Sequence, residues 1–358
     1  MTGPVKIEQQ GQRSGSESER FRKIARVIAI TSGKGGVGKS SLSLNLAIEL
    51  SRLNNRVCLF DADTNLANIN IMTGLTPHAT LHDLLHGKKT LEQVLMPGPC
   101  GIKILPAASG LMDFISFNPQ QQDLMIGLVK NLEQIFDYVL IDTAAGINQT
   151  VLSFLHAAPE TIITITTEPT SLTDAFSLLK VLKKQGFAQP VQVLVNKAPS
   201  FESAREALSR FSAALKKYLA QKVISPGYVL EDRNVARSIM QQQPFTVLYA
   251  QSPASCCVRN FASKIDTRGS HAETSLSEYF YRHKKQPVLH SAPVVAHPPW
   301  VDRLKQTIQS APIDEVEDLM SVISSEWMQR MDRESLSSKD SREEGFKSAI
   351  RFASQLYA

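Results

Sequence analysis

A glycine-rich stretch between residues 31 and 41 constrains this chain more than any other part of its sequence. It reads Thr-Ser-Gly-Lys-Gly-Gly-Val-Gly-Lys-Ser-Ser and contains the pattern Gly-x-x-x-x-Gly-Lys-Ser from Gly33 to Ser40. A β-branched run from Arg26 to Thr31 precedes the pattern and predicts a buried strand, and the leucine stripe that follows predicts an amphipathic helix. Strand, loop and helix in this order are the context in which the pattern forms a phosphate-binding loop.

The residue types in this loop explain how it would hold phosphate. Its glycines let successive backbone N–H groups turn toward one anion, and the helix that follows adds its positive N-terminal end. Lys39 is placed to neutralise the β- and γ-phosphates, and the Ser40 hydroxyl is placed to bind Mg²⁺. A glycine-rich turn before an ordinary helix is the alternative, which the complete pattern and both flanking elements disfavour. The predicted nucleotide-binding residues of the loop are Gly33, Lys34, Gly35, Gly36, Val37, Gly38, Lys39, Ser40 and Ser41.

Two further strand patterns end in acidic residues. One apolar run leads into Asp61 and Asp63, and a later one leads into Asp142 and a loop of small residues. The carboxyl ends of parallel strands meet at one edge of a sheet, where ligands bind. We therefore predict that these acids lie near the phosphate loop, where Asp142 would hold Mg²⁺ through water. An acidic helix cap is the alternative for Asp61 and Asp63.

The alternation of strand and helix patterns predicts the fold class. It indicates an α/β protein with a doubly wound, mostly parallel sheet that helices cover on both faces, as in P-loop NTPases. We place this domain at residues 23–268. The polar residues 1–22 are predicted to be disordered. Residues 269–300 are predicted to form a proline-containing linker, and residues 301–358 a helical C-terminal extension.

Lys34 is a second lysine inside the loop, before the lysine of the phosphate-binding pattern. The resulting pattern, Lys-Gly-Gly-Val-Gly-Lys-Ser, resembles the deviant Walker A motif of the MinD/ParA ATPases. The resemblance implies a MinD-like fold, ATP and Mg²⁺ as cofactors, and hydrolysis of ATP to ADP and phosphate. It also implies an ATP-dependent homodimer in which Lys34 reaches the nucleotide of the partner. A solvated loop lysine is the alternative for Lys34.

The same resemblance assigns roles to other residues. Asp63 matches the acid that orients the attacking water, and Asp61 matches the acid that supports the metal beside Asp142. The implied catalytic residues are Asp63, Lys34 and Lys39, and the implied metal residues are Ser40, Asp61 and Asp142. Asn196, which ends an apolar run, matches the amide that pairs with the adenine edge; an ordinary turn residue is the alternative. We expect slow turnover, because the output of such a switch is a conformational state.

Several longer phrases look like one branch of this family, the flagellar-number regulators FlhG and FleN. The matching pieces are Ser32 to Ser40, Asp61 to Asp63, Leu66 to Asn68, Pro106 to Gly110, Asp142 to Ile147, Glu168 to Ala175 and Gln241 to Asp266. The likeness spans residues 24–266. It implies control of flagellar number or placement, with a transcriptional activator or a flagellar assembly GTPase as the protein partner.

Two departures from the family pattern leave other functions open. Thr64 and Asn65 stand where the family has Leu-Gly, and Asn70 stands where it usually has an acid. Because these positions follow the acid that manages water, hydrolysis could be weakened. An ATP-gated scaffold with little hydrolysis is therefore one alternative. A division-site or partition positioning ATPase of the same fold is the other.

Charge and composition limit the classes of partner that we expect this protein to bind. The net charge of +5 and the pI near 8.9 are mildly basic and diffuse, so we expect no direct nucleic-acid binding. The polar N-terminal residues hold no apolar signal region, and we expect a cytoplasmic protein. In the tail, an apolar stripe from Ile313 to Met331 has an acidic opposite face and favours docking on protein. The last stretch, with Lys347 and Arg351, is the candidate for a weak membrane contact, peripheral at the inner membrane; packing on the domain or a partner is the alternative.

Overall fold

A computed structural model describes residues 24–63, 68–106, 117, 119–267 and 275–285 of the chain. The predictions for residues 1–22 and for the tail at 301–358 lie outside these residues, as do those for Thr64 and Asn65. Across the part of the chain that is described, we find no helix with the length and apolar content that a bilayer-crossing segment needs.

One sheet of eight strands carries the architecture. Its strands are β1 Arg26–Ser32, β2 Val57–Ala62, β3 Met96–Pro97, β4 Lys103–Leu105, β5 Tyr138–Ala145, β6 Glu160–Ile165, β7 Val191–Ala198 and β8 Val223–Leu230. They lie in the order β3-β4-β2-β5-β1-β6-β7-β8. Every neighbouring pair is parallel except β3 with β4. The predicted mostly parallel sheet is therefore confirmed.

Helices connect these strands and cover the sheet. They are α1 Lys39–Arg52, α2 Asn68–Thr73, α3 Leu81–Leu85, α4 Leu91–Val94, α5 Pro119–Ile135, α6 Gln149–Ala157, α7 Pro169–Lys184, α8 Phe201–Leu219, α9 Arg233–Met240, α10 Phe245–Leu248, α11 Pro253–Thr267 and α12 Leu276–Lys285. A short 3₁₀ turn, Pro99–Gly101, lies between β3 and β4.

Both faces of the sheet are buried, as a doubly wound fold requires. Alternate residues of β1 enter separate apolar clusters: Val27 and Ala29 pack with α3 to α8 and α12, whereas Ile28 and Ile30 pack with α1, α2, α10 and α11. Side chains of a strand point to opposite faces in turn, so a strand covered on both sides reads as one continuous apolar run. The run from Arg26 to Thr31 is such a strand.

Local sequence signals mark the starts of helices α6 and α7. Helix α7 starts at Pro169, because proline is favoured in the first helical turn, where its missing N–H is no loss. Helix α6 was not predicted at all. It is capped by Asn148, whose side chain accepts from the Val151 N–H at 2.8 Å, and such an asparagine before an apolar stretch is a recognisable start signal.

The linker predicted over residues 269–300 is wrong for part of its length, because α12 lies within it. Leu276 and Phe280 on this helix are 1% and 2% exposed, respectively. The Phe280 ring meets Phe154 of α6 edge-on, with ring centroids 6.5 Å apart. Buried Glu133 of α5 accepts a hydrogen bond from the Leu276 N–H at 2.7 Å. The folded unit therefore continues past residue 268. Its extension is recognised from the burial of α12 against α5 and α6 and not from local sequence.

Removing this contact is expected to destabilise the domain. Phe280→Ala should lower the free energy of unfolding by about 3–5 kcal/mol, because it deletes a fully buried aromatic ring. Tyr281→Ala on the same helix, where the side chain is 47% exposed, should change it by less than about 1 kcal/mol. Urea unfolding of both variants provides the measurement. Equal stability of the two variants would show that α12 does not pack on the domain in solution.

Candidate nucleotide-binding site

The phosphate loop lies between β1 and α1, and two of its glycines are required by their surroundings. A Cβ on Gly33 would lie 2.2 Å from the backbone carbonyl carbon of Asp174, so only glycine lets the loop approach α7 this closely. Gly38 caps α1 with a φ of 87°, which glycine adopts readily. A Cβ on Gly38 would also lie 2.5 Å from the Asn196 amide nitrogen.

A buried ion pair joins the loop to β5. Lys39 Nζ donates to Asp142 Oδ1 at 2.7 Å, and these side chains are 6% and 0% exposed, respectively. Ser43 of α1 donates to the same oxygen at 3.1 Å. Lys39 Nζ also lies 3.3 Å from the Ser40 hydroxyl oxygen. The structure thus brings together three predicted site residues, Lys39, Ser40 and Asp142, at the start of α1.

A second acid faces this pair from the neighbouring strand. In the register of β2 and β5, Asp61 stands opposite Asp142, and Asp61 is 3% exposed. Burial, together with the nearby charge of Asp142, raises the pKa of Asp61 to about 8. Asp142 Oδ2 is buried without a hydrogen-bond partner. Such an oxygen is costly to bury unless a cation or a donor reaches it.

This donor set fits Mg²⁺. The ion prefers oxygen ligands and usually keeps several waters, bound by one or two carboxylates together with substrate phosphates. Asp61, Asp142 and the Ser40 hydroxyl supply oxygens of that kind. Among the residues that the structure describes, no group of three or more His, Cys, Asp or Glu is arranged to hold a metal ion.

Asp63 follows the last residue of β2. Its backbone N–H donates to Asp61 Oδ1 at 3.2 Å, and its half-buried side chain lines the same cleft as Ser40. The residues immediately after it fall outside the described part of the chain. Asn70 lies in α2 and is half-buried.

A cleft of about 1190 Å³ runs along the loop. It includes the predicted residues Gly35, Gly36, Val37, Gly38, Lys39, Ser40, Ser41, Asp63 and Asn196. Another part of its lining is apolar and comes from β8, α9 and α10, with Val229, Ile239 and Phe245. A cleft with one polar, lysine-bearing part and one apolar part suits a nucleotide, whose phosphates and base need these two environments.

Asn196 lies at the loop, near the end of β7. Its Nδ2 donates to the Val37 carbonyl at 2.8 Å. Because a carbonyl oxygen can only accept, this contact fixes the orientation of the amide, and Oδ1 is the atom that can accept from another donor. The exocyclic amine of adenine is a donor of that kind, whereas guanine presents an oxygen at the same place.

Lys34 lies away from the buried acids. Its Nζ donates to Glu168 Oε2 at 3.0 Å and to Thr170 Oγ1 at 2.9 Å, at the start of α7. This contact lowers the pKa of the Glu168 carboxyl. The Lys34 side chain is 40% exposed. The sequence reading missed Glu168 and Thr170 as partners, although Glu168 belongs to a phrase that matches the flagellar branch.

The fold and this site together define a P-loop nucleoside triphosphatase. Comparison with known proteins shows which family of P-loop proteins the chain resembles. A family described as “AAA domain” matches residues 25–189. Antiactivator FleN of Pseudomonas aeruginosa is 37% identical over 242 residues, which is 68% of this chain and 86% of that protein.

Two further relatives agree with this placement. The flagellum site-determining protein YlxH of Helicobacter pylori is 36% identical over 168 residues, 44% of this chain and 54% of that protein. The septum site-determining protein MinD of Pyrococcus horikoshii, solved with Mg-ADP, superimposes with a TM-score of 0.55 at 25% identity, covering 68% of this chain and 97% of that one.

The chain therefore belongs to the MinD/ParA family of ATPases, and within that family to the FlhG/FleN branch. The resemblance drawn from the phosphate loop is confirmed. ATP and Mg²⁺ are the cofactors of this family, and the buried acids and the orphaned Asp142 oxygen fit them.

Proposed function

We propose that this protein is a cytoplasmic nucleotide switch that binds ATP with Mg²⁺, dimerises, hydrolyses ATP slowly and signals its state to protein partners. The observation that carries the proposal is the cluster at the start of α1, where Lys39, Asp142 and Asp61 lie buried beside the phosphate loop. Burying a lysine and two acids beside a phosphate loop costs free energy. These charges therefore serve the binding of a charged nucleotide and its metal better than they serve stability.

In the proposed mechanism, the loop amides and Lys39 bind the β- and γ-phosphates, and Asn196 selects adenine. Ser40, Asp61 and Asp142 would hold the metal. Bound Mg²⁺ supplies neutralisation of the charge that develops on the phosphate oxygens. Asp63 then orients a water for in-line attack, so that catalysis consists of positioning and charge neutralisation.

The loop after Asp142 supports coupling between the site and the rest of the domain. The Gly146 N–H donates to the Ser32 carbonyl at 2.9 Å, and Thr143 Oγ1 donates to the Ile30 carbonyl at 3.1 Å. Residues 143–146 therefore contact the strand that leads into the phosphate loop. A change at the γ-phosphate can pass through them to α6, as switch loops do in this class of protein.

The decisive experiment for this activity is phosphate release by the purified protein with ATP and Mg²⁺. Slow release supports a hydrolytic switch. Tight ATP binding with no release would favour an ATP-gated scaffold, which the asparagine at position 70 motivates as the second candidate.

For dimerisation, we predict that Lys34→Ala keeps ATP binding but prevents the ATP-dependent dimer. The reason is that Lys34 contacts Glu168 and Thr170 rather than the buried acids of its own chain, and this exposed contact can exchange for one with a partner's nucleotide. Glu168→Gln is the matched variant: it weakens the contact that holds Lys34 in its own chain and should preserve the dimer. Light scattering with ATP distinguishes the two. An ATP-dependent dimer of Lys34→Ala would disprove the assigned role.

The biological role that we propose is control of flagellar number or placement, through a transcriptional activator or a flagellar assembly GTPase. Similarity to the proteins named Antiactivator FleN and flagellum site-determining protein YlxH supports it. Counting flagella in a deletion strain tests it. Normal flagella with misplaced division would instead favour a division-site positioning ATPase.

A further inference from the structure

Two consecutive residues of β7 both reach the phosphate loop. Asn196 Nδ2 donates to the Val37 carbonyl at 2.8 Å, and Lys197 Nζ donates to the Gly36 carbonyl at 2.8 Å. Successive side chains of a regular strand point to opposite faces. An arrangement in which neighbours serve one loop therefore requires a local change of the backbone.

That change is visible at Lys197. Its φ is 54°, in the left-handed region, and the register between β7 and β8 shifts between Val195 and Ala198. Non-glycine residues seldom adopt this conformation, and such residues gather at functional sites, where the surroundings hold them. An exposed lysine that served only solubility would not need a left-handed backbone. The conformation of Lys197 therefore indicates a further role for its side chain.

The contact has a consequence for the loop amides. In a trans peptide the C=O of one residue points opposite to the N–H of the next. When Lys197 holds the Gly36 carbonyl, the Val37 N–H is directed to the other side of the loop. In the same way, Asn196 holds the Val37 carbonyl, and the Gly38 N–H is therefore directed away from Asn196.

A third side chain follows the same rule on the other arm of the loop. The Ser32 hydroxyl donates to the Lys34 carbonyl at 2.9 Å, which directs the Gly35 N–H away from Ser32. Three carbonyls of the loop thus accept hydrogen bonds from side chains. The N–H groups that follow these carbonyls point away from the donors, as an anion-binding nest requires.

We propose that Lys197 is a positioning residue that presets the phosphate loop for the β-phosphate of a nucleoside di- or triphosphate. This inference rests on the proposed function, since it concerns the same site. Lys197 acts through the Gly36–Val37 peptide and need not touch the phosphate itself. Its hydrogen bond is charge-assisted, but the side chain is exposed, which limits its strength.

Calorimetric titration of ADP, ATP and AMP into Lys197 variants tests the inference. Lys197→Met should weaken ADP and ATP binding by about 5- to 10-fold and leave AMP binding unchanged, because AMP has no β-phosphate. Lys197→Arg, which keeps a charged donor, should restore affinity for both. Lys180→Met, at an exposed lysine of α7 outside the cleft lining, is the control and should bind as the wild type does.

The variant Lys197→Gly distinguishes a loss of loop positioning from a loss of fold stability. Glycine adopts the left-handed conformation without strain, so this variant should be at least as stable to heat as the wild type without nucleotide, yet bind ADP as weakly as Lys197→Met. Wild-type affinity for ADP in the methionine variant, or an equal loss for AMP, would overturn the inference alone. Failure of the wild-type protein to bind ATP would overturn the proposed function as well.

Discussion

Lys39→Ala is expected to abolish ATP binding and to destabilise the fold at the same time. ATP affinity should fall by about 100-fold or more, because the variant loses a buried, charged partner of the phosphates. The free energy of unfolding should fall by about 3–5 kcal/mol, since Asp142, which is 0% exposed, is left buried without its counter-charge. Calorimetry and urea unfolding measure the two effects separately.

A double variant distinguishes these two causes. Lys39→Ala combined with Asp142→Ala removes both charges and should recover much of the lost stability, but it should not recover ATP binding. A single Lys39→Ala variant as stable as the wild type would show that the ion pair of Lys39 with Asp142 does not form in solution. Recovery of ATP binding by the double variant would contradict the role of both residues.

Asp63→Ala is expected to stop hydrolysis while leaving ATP binding intact. Phosphate release should fall by about 100- to 1,000-fold, because the carboxylate that orients the water is lost. The substitution spares the hydrogen bond to Asp61, which comes from the backbone N–H of Asp63. Single-turnover phosphate release measures the effect, and ATP calorimetry verifies that the site is intact.

The outcome of this measurement also separates the two candidate functions. Release that continues near the wild-type rate would remove Asp63 from the catalytic role. A wild-type protein that already releases no phosphate would leave Asp63→Ala without effect and would favour the scaffold.

Much of the fold and the core of the site follow from local sequence. The β-branched run before Gly33, the glycine pattern and the acids at strand ends are properties of short segments. Each is set by backbone preference or by burial on both faces of a parallel sheet. These features suffice to predict the phosphate loop and the strands that carry Asp61 and Asp142.

The remainder depends on contacts between distant segments, which no local pattern specifies. The position of Asp61 opposite Asp142 requires that β2 and β5 be neighbours. The partners of Lys34, Glu168 and Thr170, lie at the start of α7, more than a hundred residues away. Lys197 adopts its left-handed backbone only because the surrounding strands hold it. Helix α12 has too few apolar residues to be distinguished from a linker by its sequence. Only the contact of Phe280 with Phe154 of α6 distinguishes it.

The proposed function requires that the pocket beside Lys39 and the two buried acids binds ATP together with its metal. Titrating ATP into the wild-type protein by calorimetry, with Mg²⁺ and then with a chelator, tests this most directly. We predict saturable binding that weakens when the metal is removed and is lost in Lys39→Ala. The absence of any binding in the presence of Mg²⁺ would show that this pocket is not a nucleotide site.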